Sequence, residues 1–262
     1  MSQIYSKPTS SNLHASPKVL AKAISKKLET RLLRLSEMSH QEYDVTKSLG
    51  GNLGAVGDGR TDDNETEAIQ RCLDAACQRA GGTVYFPPGT YFINTTLHIK
   101  KLAPVKIQGA GLMTTLLWNF DGDLFYWDAE CFESSIQDLR IISQFQGNMS
   151  PTSTAFHLPY GADFSTMERI RIDVDDPNTK KWGSGIRVRY RGANQTKKAG
   201  GQLRFDDLNF WRFCGTALEL MDVTDVRIRG CRFPAIDRPS GSVGIHLAGN
   251  TGGVCVENCD LS

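Results

Sequence analysis

The pattern apolar-x-x-apolar-x-apolar, found six times between residues 107 and 261, is the feature that most constrains the fold. Two residues between inward positions indicate a sharp bend between short strands, because a straight strand keeps a period of two. Measured between the second apolar residues, the copies lie 29, 31, 38, 23 and 28 residues apart, a spacing typical of a solenoid. The copies begin at Ile107, Ile136, Met167, Phe205, Ile228 and Val256.

A second short strand precedes the bend in five of these repeats, with the order small or apolar, apolar, outward, apolar. Its copies begin at Leu124, Ala155, Gly185, Ala217 and Gly244. In a parallel solenoid, the inward residues of successive rungs stack about 4.8 Å apart and build the core. We therefore predict an all-β solenoid in which each rung bends at the same place.

The stretch 53–93 has a different pattern and precedes the first repeat. Its glycines predict a tight loop over 54–59, and apolar residues at helical spacing predict a helix over 63–80. Strand patterns follow at Thr83–Phe86 and Thr90–Ile93. We expect the helix to cover one end of the core.

Three blocks of this stretch, GAVGDGRTDD (54–63), Ala68-Ile69-Gln70 and GGTVYFPPGTYFI (81–93), closely resemble the opening of pectate-lyase-superfamily domains. That group includes many phage tailspikes and some rhamnogalacturonases and polygalacturonases. The resemblance implies a single-stranded, right-handed parallel β-helix with an N-terminal capping α-helix. It identifies a fold and not a reaction, so the aspartates of 58–63 are interpreted as turn and cap residues.

The chain has 262 residues, of which 40% are apolar and 23% are charged. This composition is typical of a soluble globular protein with one core. We predict a flexible tail over 1–15, an amphipathic helix over 16–42 and the β-helix over 43–262. No apolar run near the start is long enough for a signal peptide or a membrane span. Because the chain stops just after a bend motif, we expect the β-helix to continue beyond residue 262 in a longer protein.

The seven cysteines show no zinc-ligand spacing, and several occupy apolar positions, which favours buried free thiols. No metal and no cofactor are expected. The formal net charge of +1 gives no indication of nucleic-acid binding.

The outward residues of the short strand should form one column along the solenoid: Tyr126, His157, Arg187, Glu219 and His246. Rings, bases and a cation in a line suit an acidic sugar chain, so Tyr126, His157, Arg187 and His246 are predicted to bind substrate. The alternative is a solvated face whose charges alternate without a functional role.

Carboxylates beside the bend are the second candidate site. Glycosidic hydrolysis needs two carboxyl groups, and Asp206 and Asp207 at the bend, together with Glu219 of the outward column, are predicted to be catalytic. Asp206-Asp207 matches one block of the polygalacturonase pattern, but the Gly-His-Gly and Arg-Ile-Lys blocks are absent. Alternatively, Arg169 and Arg229 pair with the acids of neighbouring rungs as a structural ladder.

The sequence thus predicts a polysaccharide-binding and polysaccharide-degrading protein resembling a phage tailspike, acting as a glycosidase or a lyase. The alternatives are a non-catalytic structural or receptor-binding fibre module and a cellular rhamnogalacturonase-like or polygalacturonase-like enzyme. The expected partner is a polysaccharide, with acidic chains among the candidates, and neither nucleic acid nor membrane. The resemblance also suggests a homotrimer and, for a phage protein, a virion or extracellular location reached without a signal peptide.

Overall fold

A computed structural model describes residues 41–60, 65–79, 81–100, 103–145, 150, 152–174, 184–189, 201–211, 213, 215–234 and 242–261. The predicted tail and almost all of the predicted leading helix lie outside these residues. Glu42, the last residue of that predicted helix, opens the first strand. The polar insertions around 175–183 and 190–200 also lie outside the described residues.

The described residues contain one α-helix, α1 (Glu65–Gln78), one 3₁₀ helix (Gly111–Met113) and nineteen strands. The strands are β1 (Glu42–Asp44), β2 (Gly82–Tyr85), β3 (Gly89–Ile93), β4 (Leu97–Ile99), β5 (Val105–Gln108), β6 (Thr114–Trp118), β7 (Phe125–Trp127), β8 (Cys131–Phe132), β9 (Ser135–Ser143), β10 (Thr154–Leu158), β11 (Ala162–Asp163), β12 (Thr166–Val174), β13 (Ser184–Arg189), β14 (Gly201–Asp206), β15 (Asn209–Phe210), β16 (Thr216–Met221), β17 (Thr224–Arg229), β18 (Val243–Ala248) and β19 (Gly252–Glu257).

These strands form parallel sheets whose neighbours come from successive rungs. The main sheet has eleven strands and follows the order β1-β2-β5-β9-β12-β14-β17-β19, with β3, β6 and β15 alongside. A six-stranded sheet has the order β18-β16-β13-β10-β7-β4, and β11 pairs with β8. The predicted all-β parallel β-helix with a capping helix is confirmed.

The bend of each later rung is made by one residue with a left-handed backbone, at the third position of the repeated pattern. The φ values are 61° at Asp138, 51° at Arg169, 53° at Asp207, 66° at Gly230 and 52° at Asn258. One left-handed residue redirects a strand without a loop, which explains why two residues separate the inward positions.

The first copy of the pattern does not follow this rule: Ile107 is fully buried as predicted, but the inward position predicted for Leu112 is wrong. Leu112 is 64% exposed, because the 3₁₀ helix Gly111–Met113 lengthens the turn. Strand β6 supplies the core residue instead, since Leu116 is fully buried and pairs with Ile141 of the next rung.

The core is a set of inward columns, as predicted. Phe125 and Phe156 are register partners whose rings stack with centroids 5.3 Å apart and an angle of 7°. Phe210 and Phe233 stack in the same way at 5.2 Å and 10°. Close packing of like side chains on successive rungs gives a core that runs the length of the described solenoid.

Helix α1 covers the end of this core with a fully buried face that includes Ile69 and Leu73. Its first residue, Glu65, is also completely buried. The Glu65 carboxylate accepts a hydrogen bond from the amide of Gly57 at 2.6 Å and another from the amide of Phe92. Gly57 has φ 76°, so the glycine-rich loop is bent toward the helix and held there by one side chain.

Candidate functional site on the six-stranded sheet

The outward residues of the six-stranded sheet form one column in continuous parallel register. The described column runs His98, Tyr126, His157, Arg187, Glu219 and His246, one residue from each strand. The common column predicted for the last five is therefore confirmed. His98 was missed, although Leu97-His98-Ile99 has the same apolar, outward, apolar order as the later copies.

The first half of the column is a run of three rings. The Tyr126 ring lies 5.8 Å from the His98 ring and 5.1 Å from the His157 ring, measured between centroids. Tyr126 and His157 meet edge to face at 84°. Because the side chain of His98 is 42% exposed, this half of the column reaches solvent.

Each histidine of this half is held by an aspartate. Nδ1 of His157 lies 2.6 Å from Oδ2 of Asp123, and the other oxygen of Asp123 accepts the amide of Thr154 at 2.9 Å. Nδ1 of His98 lies 3.2 Å from both oxygens of Asp128. An aspartate on Nδ1 favours the tautomer that carries its proton there and leaves Nε2 as the basic nitrogen.

The middle of the column is a buried charge cluster. Arg187 is 7% exposed and Glu219 is 5% exposed. Nε of Arg187 donates to Oε2 of Glu219 at 2.7 Å, and Nη1 donates to the carbonyl of Thr152 at 2.7 Å. Oε1 of Glu219 accepts from Arg189, whose Nε lies at 3.1 Å. Both carboxylate oxygens are therefore occupied.

These contacts set the charge of Glu219. Burial raises the pKa of this carboxyl, but the hydrogen bonds and positive charges of Arg187 and Arg189 outweigh burial, so the pKa is lowered overall. An ionised carboxylate with two arginine partners has no proton to give at neutral pH. The geometry thus favours an anchoring role for Glu219 over general-acid catalysis, and its catalytic role stays a prediction.

The far end of the column differs from the rest. His246 pairs in register with Glu219, and His246 is exposed. Its predicted role in substrate binding stays a prediction, as does that of Arg187, whose described donors are engaged by protein groups.

Two acids beside the bend, Asp206 and Asp138, belong to ion pairs between rungs of the main sheet. Asp206 accepts from Nε of Arg229 at 3.0 Å. Arg169 donates to both oxygens of Asp138, at 2.6 and 2.9 Å, and the pKa of Asp138 is lowered by this hydrogen bonding. The ladder proposed as the alternative is therefore present.

Asp207 is exposed and forms the left-handed bend itself. Its carboxylate lies over Gly230, where an added Cβ would be 2.4 Å from Oδ1. Asp206 and Asp207 belong to the main sheet and its bend, whereas Glu219 belongs to the six-stranded sheet. The structure does not unite the three predicted catalytic residues in one site.

Sequence reasoning missed three residues that contact the column: Asp123, Asp128 and Arg189. Asp123 and Asp128 flank β7 outside the repeated pattern, so no periodicity identifies them. Arg189 lies two residues after Arg187, and the alternation of β13 was a usable signal that it shares the outward face.

In the described part of the chain, no three His, Cys, Asp or Glu side chains are grouped to hold a metal ion. The six cysteines described are free thiols, and four of them are buried.

Fold and site together define a pectate-lyase-like parallel β-helix with an ionisable and aromatic column on one sheet. The chain belongs to the rhamnogalacturonase A/epimerase, pectate lyase-like family, whose model matches residues 51–210. That match covers the capping helix and the strands from β2 to β15.

Individual relatives cover less of the chain. It is 35% identical over 156 residues to alginate lyase 7 of Azotobacter vinelandii, which is 50% of this chain and 17% of the relative. It is 41% identical over 86 residues to mannuronan C5-epimerase AlgE2 of the same organism. That region is 30% of this chain and 8% of the relative. This chain thus spans less than a fifth of either relative.

Among solved structures, ORF18 of Geobacillus virus E2 aligns over 89% of this chain and 50% of its own, with a TM-score of 0.46 and 18% identity. In the described residues, no helix combines the length and apolar character needed to cross a membrane.

Proposed function

We propose that this chain binds a polysaccharide along the six-stranded sheet and cleaves it. The observation that carries the proposal is the ring run His98, Tyr126 and His157, which places two bases and one phenol on three successive rungs. Rungs about 4.8 Å apart present these groups as a line, which suits an extended polymer better than a compact ligand.

Family membership supports a role on polysaccharides, and the names of two relatives suggest which kind. Alginate lyase and mannuronan C5-epimerase are named for polymers of uronic acids. We propose an acidic polysaccharide as the substrate class, with alginate as the first polymer to test. Trimerisation and a virion location stay predictions from the resemblance.

A non-catalytic binding module is the second candidate. It is favoured by the engagement of Glu219 and Asp206 in ion pairs, which leaves these two predicted catalytic acids bound to arginines. Such a module would use the same column for binding and would leave the polymer intact.

Affinity measurements with a matched tyrosine pair test the binding face. Tyr126→Ala is expected to weaken alginate binding about tenfold, which corresponds to roughly 1.4 kcal/mol, because a stacking ring is lost. Tyr160→Ala removes an equally large ring that is 42% exposed but lies outside the six-stranded sheet, and should bind as the unchanged chain does.

Polymer length, followed by gel filtration, separates the two candidates. Shortening of alginate or polygalacturonate supports the enzyme, whereas binding without shortening supports the module. Equal loss of affinity in both tyrosine variants would contradict the proposed face.

A further inference from the structure

We propose that Cys231 and Cys259 form a redox-sensitive disulfide that joins the last two described rungs of the solenoid. The two residues occupy the same place in the repeated pattern, the second apolar position, which follows the two-residue gap. Both are free thiols in this structure, and the bond forms when the chain meets an oxidant. The disulfide is independent of any activity on polysaccharides.

The register of the main sheet places the two cysteines opposite each other. Strands β17 and β19, which precede them, are in parallel register, and Arg232 is paired with Asp260 directly after them. The Asp260 amide donates a hydrogen bond to the Cys231 carbonyl at 2.9 Å, so the register holds at the cysteines themselves. In-register neighbours on parallel strands lie about 4.8 Å apart, within the roughly 4.4 to 6.8 Å between Cα atoms that a disulfide spans.

Both thiols are oriented toward the preceding rung. Sγ of Cys231 lies 3.5 Å from the carbonyl oxygen of Phe205, and Sγ of Cys259 lies 3.7 Å from the carbonyl oxygen of Ile228. Phe205 and Ile228 are themselves register partners. Sγ of Cys259 therefore reaches the rung that contains Cys231, and closing the bond requires rotation of the Cys231 side chain about χ1.

The two thiols differ in burial, which sets the order of their reactions. Cys231 is fully buried, whereas Cys259 is partly buried against the edge of the core, so an oxidant reaches Cys259 first. Burial raises the pKa of the Cys231 thiol to about 12. Because the thiolate is the nucleophile and little of it is present at neutral pH, the step that uses Cys231 is the slow one.

The bond forms in two exchange steps with a disulfide oxidant such as oxidised glutathione. The Cys259 thiolate attacks one glutathione sulfur, which forms a mixed disulfide and releases the other glutathione as a thiolate. The Cys231 thiolate then attacks the sulfur of Cys259, and the second glutathione leaves. The two protein thiols lose two protons and two electrons, and the oxidised glutathione is reduced to two glutathione molecules.

The disulfide restrains the separation of β19 from β17. Strand β19 stands at the end of the main-sheet order and pairs with β17. Val256 of β19 occupies an inward position of the pattern but is 45% exposed. A strand with few buried contacts opens at a low free energy. Because Cys231 follows β17 and Cys259 follows β19, a covalent bond between them opposes this opening.

The test uses the full chain, first reduced and then incubated under native conditions with oxidised glutathione. Peptide mapping by mass spectrometry without reduction should find Cys231 linked to Cys259. Hydrogen exchange in β19 should become about tenfold slower than in the reduced chain, and dithiothreitol should reverse this effect. The rate of linkage should rise about tenfold per pH unit between about pH 7 and 9, because the thiolate fraction of Cys231 rises in that proportion below its pKa.

Cys255 provides the matched control, because it is an exposed thiol on the same strand, β19. Cys259→Ala should abolish both the link and the slower exchange, whereas Cys255→Ser should retain both.

Three outcomes would overturn the proposed disulfide. The first is a mixed disulfide with glutathione that persists on Cys259, and the second is a link between any other pair of cysteines. The third is a native chain that stays unlinked although its thiols are oxidised readily in urea, since the pair would then be inaccessible in the fold. A link that forms without slowing exchange in β19 would overturn its role in holding that strand.

Discussion

Glu219→Gln is expected to lower the free energy of unfolding by about 3 kcal/mol, since removing one partner of a buried ion pair leaves a charge uncompensated. Arg187 would keep its charge at 8% side-chain exposure, with the carboxylate it contacts at 2.7 Å replaced by a neutral amide. Urea unfolding followed by circular dichroism measures the effect. A loss of stability of this size would also confound any activity assay of Glu219→Gln.

Two controls distinguish burial from simple charge removal. Glu257→Gln breaks an exposed pair with Arg227, 2.8 Å long, and should unfold at the wild-type urea concentration. The double variant Arg187→Met, Glu219→Met removes both buried charges and should recover most of the lost stability. A double variant less stable than Glu219→Gln would contradict this expectation, because the buried ion pair would then make a large net contribution to the free energy of unfolding.

The same contacts predict a pH dependence. Because the pKa of Glu219 is lowered from its ordinary value of 4.5, its stabilising effect is full above that value and is lost as pH falls through the folded-state pKa. The stability difference between the unchanged chain and Glu219→Gln should therefore shrink in acid.

Glu65→Ala is the second large effect, at about 2 to 5 kcal/mol of lost unfolding free energy. Two amides, those of Gly57 and Phe92, would lose their acceptor, and a buried unsatisfied donor costs roughly 1 to 3 kcal/mol. Glu65→Gln keeps one acceptor and should lose about half as much. Chemical denaturation gives the totals, and faster hydrogen exchange at Phe92 would locate the damage.

The matched control lies two residues along the same helix. Glu67 has a side chain that is 73% exposed and approaches Arg71 only at 3.8 Å, so Glu67→Ala should change stability by no more than about 0.5 kcal/mol. Equal losses for Glu65→Ala and Glu67→Ala would show that the loss of a negative charge from the first helical turn, and not of the buried carboxylate contacts, is responsible.

Sequence periodicity was sufficient for the solenoid, because an inward residue must be apolar in every rung whatever surrounds it. The two-residue gap at Asp207 and its equivalents indicated a bend. Periodicity failed at Leu112, where a 3₁₀ turn changes which residues face inward. Residue propensities do not predict such a local change in the course of the backbone.

The candidate site was predicted less completely, for a physical reason. Register along one sheet follows from the repeat, so the column was predictable, but its burial was not. Arg187 contacts the Thr152 carbonyl from the preceding rung, and Glu219 contacts two arginines, so outward residues became buried ones. The orienting role of Asp123 depends on a turn that the repeat does not describe.

The most direct test of the central claim, that a polysaccharide lies along the six-stranded sheet, is hydrogen exchange with and without alginate oligosaccharides. We expect slower exchange in peptides covering Leu97–Ile99, Phe125–Trp127 and Thr154–Leu158, with no change in Gly201–Asp206 or Thr224–Arg229 of the main sheet. Protection confined to the two main-sheet strands, or none at saturating oligosaccharide, would contradict it.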